Sequence, residues 1–304
     1  IYNDKLYEVY TTGSGSTALS ILDYSEANVS WSISSTVVLP NPPSLKLERP
    51  SIAITPDGTL WVCCTATDEV TGDVSLRVFS SADDGQTWTL INERIDNTID
   101  NPSGIKPQLQ GGKGRMSGNI MATKDGVSLL YTNGNTLNWV DYSLSGASSG
   151  TYENKRLLVY GTSQKDPDGT HFSSVTDSQG NIHVATNNGN SRVVYLRYDS
   201  ATDTWDAPVE ITSYRSGSYM QISLLADGRI YITYEVSGGS YLEVSESTDG
   251  GNTWGVNSRL TQDVVSDPGN ARVETPAYAQ GTLPVFQQVD NLDGTSSLVY
   301  YEVA

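Results

Sequence analysis

Two stretches of this chain carry the same pattern, Ser81-Ala-Asp83-Asp-Gly85-Gln-Thr87-Trp88 and Ser247-Thr-Asp249-Gly-Gly251-Asn-Thr253-Trp254. Both read S-x-D-x-G-x-T-W, and such a pattern does not recur by chance in 304 residues. It makes physical sense as a turn between strands. The Asp accepts nearby backbone N–H groups, Gly supplies a positive φ, and Trp plugs the turn against a neighbouring strand. A chain that repeats one turn this closely is constrained to a tandem β architecture. The motif itself holds a turn and does no chemistry.

A second repeat runs beside the first. Alternating apolar strands flank a polar-Gly turn in Ser51–Val62, Asn119–Leu130, Ser173–Val184 and Gln221–Ile232, with a shortened copy at Pro276–Val285. The turn glycines are Gly58, Gly126, Gly180, Gly228 and Gly281, at intervals of 68, 54, 48 and 53 residues. Asp-Gly or Gln-Gly between apolar runs predicts a hairpin. Each hairpin leads to a third strand, often ending in a Trp turn: Trp88, Trp254, and the decayed copies Tyr198–Trp205 and Tyr24–Trp31. A polar fourth strand follows. Four short strands in about 50 residues describe a propeller blade. Five phased hairpins and the N-terminal unit predict an all-β propeller of six four-stranded blades, one domain over residues 1–304. The N-terminal unit lacks an innermost strand and the C-terminal unit an outermost one, so strands from both ends are expected to share the closing blade and remove two sheet edges. Residues 40–48 and 97–115 read as inter-blade loops, and no amphipathic helix stands out.

The S-x-D-x-G-x-T-W motif resembles the Asp-box of sialidase-like (BNR-repeat) β-propellers. The resemblance covers nearly the whole chain as blade repeats, and implies a carbohydrate-active fold.

Composition narrows the partners. The net charge is −17, which argues against nucleic acid, whose binding needs a basic face. No segment approaches the ~20 consecutive apolar residues of a membrane span, so no membrane insertion is expected. Eighteen Tyr stand beside three Phe and three Met, a composition found in exported β-proteins that touch sugars and equally in any wet β-rich surface. Cys63 and Cys64 are adjacent; on a strand they point to opposite faces, so packing and no disulfide are expected. The chain opens at Ile1 with no visible signal peptide, which suggests processing or excision from a longer protein, for instance a multidomain surface protein.

Two segments resemble sialidases at the level of chemistry. Glu48-Arg49-Pro50 precedes a hairpin with Gly58-Thr-Leu, then an acidic loop, Thr67–Asp73, then the first Asp-box. By this resemblance Arg49 binds a substrate carboxylate, and Asp68, or next Asp73, is the acid/base; a solvated acidic turn is the alternative. Tyr219, with Tyr234-Glu235 closing the neighbouring strand, resembles the nucleophile blade: Tyr219 as nucleophile, Glu235 as the partner that holds the first arginine. A neutral phenol avoids carboxylate repulsion at the anomeric centre, and sialidases are a Tyr exception among glycosidases. A phenol of ordinary pKa ~10 needs a nearby Glu base. Core packing is the alternative reading of Tyr219. Guanidinium forks match carboxylates, and Arg192 falls where the third family arginine would. No second arginine stands out, and a further blade follows the Tyr219 blade, a departure from the family order.

The histidines are His171 and His183. Their blade resembles those of ulvan-lyase-like polysaccharide lyases, which use His and Tyr for proton abstraction beside a uronate. His171 opens an inner strand and is the functional candidate, against packing; His183 alternates with Ile182 and Val184 and reads as structural. No metal cluster, EF-hand spacing or phosphate-cradling loop stands out, so no cofactor is expected. Asn28-Val-Ser30 is a glycosylation sequon, meaningful in a eukaryotic source.

Three functions are therefore open: a sialidase-like hydrolase of acidic sugars, a polysaccharide lyase using His171 and a tyrosine, and a non-catalytic glycan-recognition or structural propeller. All three imply a glycan or polysaccharide partner, and an extracellular, cell-surface or virion-surface location.

Overall fold

Short strands with a side-chain period of two bury one or both faces only when sheets stack, and every regular element among the described residues is a strand. The computed structural model describes residues 5–12, 15–25, 30–40, 43–71, 74–95, 117–123, 126–133, 136–143, 160–161, 172–187, 192–212, 217–236, 241–260, 272–290 and 295–304. Residue contacts divide the chain into two compact units, Ile1–Tyr160 and Gly161–Ala304.

The first unit opens with β1 (Lys5–Thr11), β2 (Thr17–Ser25) and β3 (Ser30–Val38), paired in that order. Next come β4 (Leu45–Ile54), β5 (Leu60–Asp68), β6 (Val74–Ser81) and β7 (Thr89–Ile95), again in chain order. The third sheet holds β8 (Ser117–Ala122), β9 (Gly126–Asn133), β10 (Thr136–Ser143) and β11 (Tyr160–Gly161).

Strand β5 explains the apolar run Leu60-Trp-Val-Cys-Cys. Trp61 and Cys63 enter the cluster with Leu129 and Tyr131 of the third sheet. Leu60, Val62, Cys64 and Ala66 enter the cluster with Leu19 and Ile21 of the first. The strand is covered on both faces, so alternation vanishes from its sequence. The cysteines are free and face opposite ways, as expected.

The second unit begins with β12 (Phe172–Thr176), β13 (Ile182–Asn187), β14 (Val193–Asp199), β15 (Thr204–Trp205) and β16 (Val209–Glu210). Strands β15 and β16 both pair with β14, so the fourth strand is broken in two. Then follow β17 (Gly217–Leu225), β18 (Ile230–Val236), β19 (Leu242–Ser247) and β20 (Ser258–Arg259), and last β21 (Arg272–Glu274), β22 (Tyr278–Ala279), β23 (Leu283–Asp290) and β24 (Ser296–Val303). One apolar cluster joins the sheets of β13–β14 and β17–β18. Another joins the latter to β21 and β23. Within each unit, antiparallel sheets stacked face on face in chain order are the blades of an all-β propeller.

The glycine-phased turns form as predicted at Gly58, Gly180 and Gly228, with φ of 86°, 87° and 90°; in each, the glycine N–H donates to the carbonyl three residues back, at 2.8–3.0 Å. Three expectations need correction. The shortened copy is not a simple hairpin: β21 pairs with β23, but β22 leaves to pair parallel with β17 of the preceding sheet. Pro276, between β21 and β22, has no N–H to continue the ladder. Residues 45–48, expected in a loop, begin β4. The two chain ends do not share a blade among the described pairings: β1–β3 form one sheet, and β21, β23 and β24 another. The middle strands β2 and β23 each already have two antiparallel neighbours of their own sheet. The expected loop 97–115 lies outside the described residues.

Candidate functional site

Both Asp-boxes close by the same bonds. Ser81 Oγ donates to Asp83 Oδ1 at 2.8 Å and accepts the Gly85 N–H at 2.9 Å. Thr87 donates to Asp83 through its N–H at 2.9 Å and its hydroxyl at 2.6 Å. The second box repeats this at Ser247, Asp249, Gly251 and Thr253, at 2.9, 2.8, 2.8 and 2.6 Å. Every Asp oxygen is used inside the turn, and these bonds hold Asp83 down at about 2. The boxes are scaffold, as their sequence implies.

A buried carboxyl lies instead on β18, beside a bulge of β17. Ser218 pairs with Glu235 and Gln221 with Thr233, so Tyr219 and Met220 together oppose Tyr234. This two-for-one bulge puts Tyr219 in the left-handed region, φ 47°, and re-aims its side chain. Met220 enters the cluster toward β13–β14, while Tyr219 packs against the cluster toward β21 and β23.

The period of two sets Tyr231, Thr233 and Glu235 on one face of β18. Tyr231 belongs to the cluster that Tyr219 packs against, so Tyr219 and Glu235 look onto the same side of their sheet. Glu235 is 7% exposed, and its carboxyl makes no hydrogen bond or ion pair with the described residues. Burial alone pushes its carboxyl up to about 7, since desolvation disfavours the charged form. A carboxyl poised there can give or take a proton at neutral pH.

The surrounding face is polar. Ser173 Oγ donates to Gln221 Oε1 at 3.2 Å and accepts the Ile222 N–H at 3.2 Å. Gln221 Nε2 donates to Glu274 Oε2 at 3.3 Å, and the Ser223 and Thr275 hydroxyls meet at 2.8 Å. Thr233 Oγ1 and Gln287 Nε2 are buried without hydrogen-bond partners among the described residues. On the opposite face, Tyr234 Oη donates to the buried Glu243 at 2.7 Å, and the Arg259 guanidinium lies 4.0 Å over the Tyr241 ring.

The other candidates are placed differently. Arg49 opens the equivalent bulge of β4, where Glu48 pairs with Thr65 and Ser51 with Cys63; its φ is 52° and its N–H donates to Thr11 Oγ1 at 3.2 Å. Asp68 ends β5 opposite Leu45, four residues and therefore roughly 13 Å along the strand from Arg49. Its Oδ1 accepts the N–H groups of Thr71 and Val70 at 3.0 and 2.8 Å, and these bonds lower its carboxyl below the ordinary value. Asp68 is a turn cap held in its ionised form, a poor proton donor at neutral pH. Arg192 donates to the Thr212 carbonyl at 3.3 Å and lies 3.7 Å from Glu210, which ties β14 to the segment after β16. Asp73 and His171 lie outside the described residues.

Sequence reasoning set His183 aside as structural, and it is buried, 2% exposed. It missed the company His183 keeps. Nδ1 lies 2.6 Å from Tyr195 Oη and Nε2 3.2 Å from Asp177 Oδ2. Desolvation raises the Asp177 carboxyl, but bonds from His183 and Asn181 outweigh it and bring the group down to about 2. The detectable signal was period: His183 pairs with Arg197, two residues from Tyr195.

No family model matches the chain, and no curated protein matches it. Solved structures do. An ulvan lyase of the polysaccharide lyase family PL25 aligns with a TM-score of 0.63 at 11% identity, over 100% of this chain and 78% of that one. A Hadza microbial sialidase gives 0.50 at 12%, over 98% and 65%. A variant of the Aleuria aurantia lectin in complex with alpha-methyl-L-fucoside gives 0.50 at 9%, over 99% and 94%. Identities this low show a shared fold and leave activity open.

Proposed function

We propose that this chain is a carbohydrate-engaging propeller, and that the Tyr219–Glu235 end of β17 and β18 acts on acidic sugars as a sialidase-like glycoside hydrolase. The observation that carries the reading is Glu235, a buried carboxyl without a partner among the described residues, near neutral in pKa, on the face that Tyr219 packs against. Tyr219 Oη would bond to the anomeric carbon as its proton passes to Glu235, and the glycosidic oxygen would leave with a proton from a general acid. Of the two acid candidates that the sequence resemblance names in the first unit, Asp68 is tied into its own turn, which leaves Asp73 as the better match to the resemblance. Arg49 is the carboxylate-binding candidate; His171 stays the candidate base of a lyase. The solved neighbours support carbohydrate as the ligand class: an ulvan lyase, a sialidase and a fucoside-bound lectin. A single six-bladed domain and an extracellular or surface location belong to the same proposal.

A second reading, glycan recognition without catalysis, is favoured by Asp68 and Arg192, whose charged groups bond within their own sheets, Asp68 to its turn and Arg192 to the Thr212 carbonyl and Glu210. One experiment separates the two. The full chain, Tyr219→Phe and Glu235→Gln are tested on acidic glycosides and uronate polysaccharides, and on a glycan array. Hydrolysis that falls at least about a hundredfold in Tyr219→Phe supports the first reading. Binding with no turnover supports the second. An unsaturated product from a uronate polymer would replace both with a lyase.

A further inference from the structure

The cluster of half-buried Asp177 with buried His183 and Tyr195 takes no part in the site above, yet it is a continuous hydrogen-bonded chain. Asp177 sits in the β12–β13 turn, where Gln179 and Asn181 N–H groups each reach Oδ1 at 2.9 Å, leaving Oδ2 for His183 Nε2 and the Asn181 amide. Tyr195 stands between two acceptors, 2.6 Å from His183 Nδ1 and 3.4 Å from the Gly250 carbonyl in the second Asp-box. Its ring stacks on His183 at 6.0 Å and meets Trp254 edge-on at 4.9 Å.

One hydroxyl hydrogen cannot serve both acceptors. With neutral His183 carrying its proton on Nε2, Nε2–H donates to Asp177 and Tyr195 Oη–H donates to Nδ1. Gly250 then keeps the Arg197 Nη1 donor at 3.2 Å. When His183 takes a proton from water, Nδ1–H must donate, Tyr195 becomes its acceptor, and the hydroxyl hydrogen turns to Gly250. Both states satisfy every polar atom of the cluster. They differ in whether Tyr195 holds the Asp-box.

We propose that His183 is a proton-operated latch, whose protonation swings the Tyr195 hydroxyl onto the Gly250 carbonyl and clamps the second Asp-box turn to the β12–β14 sheet. The charges facing the His183–Tyr195 pair are Asp177 from the β12–β13 turn, Arg197 from β14, Asp206 after β15 and Asp249 from the box. Arg197, opposite His183, is ion-paired to Asp206 at 2.7 Å, so Asp177 is the charge that meets the imidazolium. The first Asp-box is held without a histidine: Tyr7 Oη donates to Asp84 Oδ1 at 3.1 Å, Lys5 lies 3.5 Å from the same carboxylate, and Gly85 faces Leu19 where Gly251 faces Tyr195. It is a built-in control.

The test is amide hydrogen exchange on the full chain at about pH 5 and about pH 8, the range over which histidine changes charge. Protection of Gly251 and Thr253 is expressed relative to Gly85 and Thr87, whose internal bonds match. The ratio is expected to rise about fivefold toward acid, the worth of one added hydrogen bond, and to stay level in Tyr195→Phe and in His183→Gln. A level ratio in the unaltered chain overturns the latch, and so does a rise that survives in either variant. Should Tyr195→Phe fail to fold, His183→Gln decides alone. Glycan binding and turnover do not enter the readout.

Discussion

Arg49 and Tyr219 occupy the same place in their respective sheets. Each is the first residue of a two-for-one bulge on the first strand of a sheet, and each is held at positive φ, 52° and 47°. Neither is glycine, and such backbone costs a side-chain-bearing residue about 1–2 kcal/mol. The sheets spend that strain to aim two chemically distinct side chains from equivalent positions.

The strain makes a substitution series informative at Arg49. Arg49→Gly should leave stability within about 1 kcal/mol of the parent, since relief of strain offsets lost chain entropy. Arg49→Val should cost about 2 kcal/mol, because a β-branched residue tolerates positive φ worst. Urea denaturation of the two variants measures the difference; equal stabilities would contradict the left-handed assignment.

Glu235 predicts a pH dependence. Its folded value, about 7, lies above the ordinary 4.5, so the folded state binds more protons between those values and stability falls as pH rises through that window. Glu235→Gln removes the dependence. The variant should match the parent near pH 4 and exceed it at pH 8, by on the order of 3 kcal/mol at most. Paired denaturant curves at the two pH values provide the check.

Turn glycines should divide into two classes. A Cβ at Gly251 would run into the Tyr195 hydroxyl, whereas one at Gly228 meets nothing within 4 Å, although φ is close to 90° at both. Gly228→Ala should cost about 1 kcal/mol from backbone strain alone. Gly251→Ala should cost about 3 kcal/mol, with overpacking added. Thermal or denaturant unfolding ranks them.

The inner strands are stitched by one repeated bond pattern. Ser51 Oγ donates to Asn119 Oδ1 at 2.7 Å and accepts the Ile120 N–H at 3.1 Å, just as Ser173 serves Gln221 and Ile222. Ser51→Ala and Ser173→Ala each leave a part-buried N–H without its partner. Each should cost about 1–2 kcal/mol, and the double variant should show the sum, read from equilibrium unfolding.

The Asp-boxes and the turns at Gly58, Gly180 and Gly228 were legible because their bonds run between residues a few positions apart. The split of the last inner strand was not, since β22 pairs with β17, some 50 residues earlier. Tyr219 and Glu235 could be named from the Tyr-and-Tyr-Glu pattern, but the burial that raises Glu235 could not. Asp68 looked like an acid on a loop, and only its bonds to Val70 and Thr71 revealed a turn cap.

Local chemistry in the sequence settled the turns, the strand periodicity and the all-β class, because each depends on φ preferences and neighbouring hydrogen bonds. Stacking of one sheet on the next decided the rest. It chose which polar side chains lost their water, while pairing of β13 with β14 inside one sheet brought Asp177, His183 and Tyr195 together from a turn and two strands. Desolvation and hydrogen-bond partners are properties of the covered face, and no single strand carries them alone.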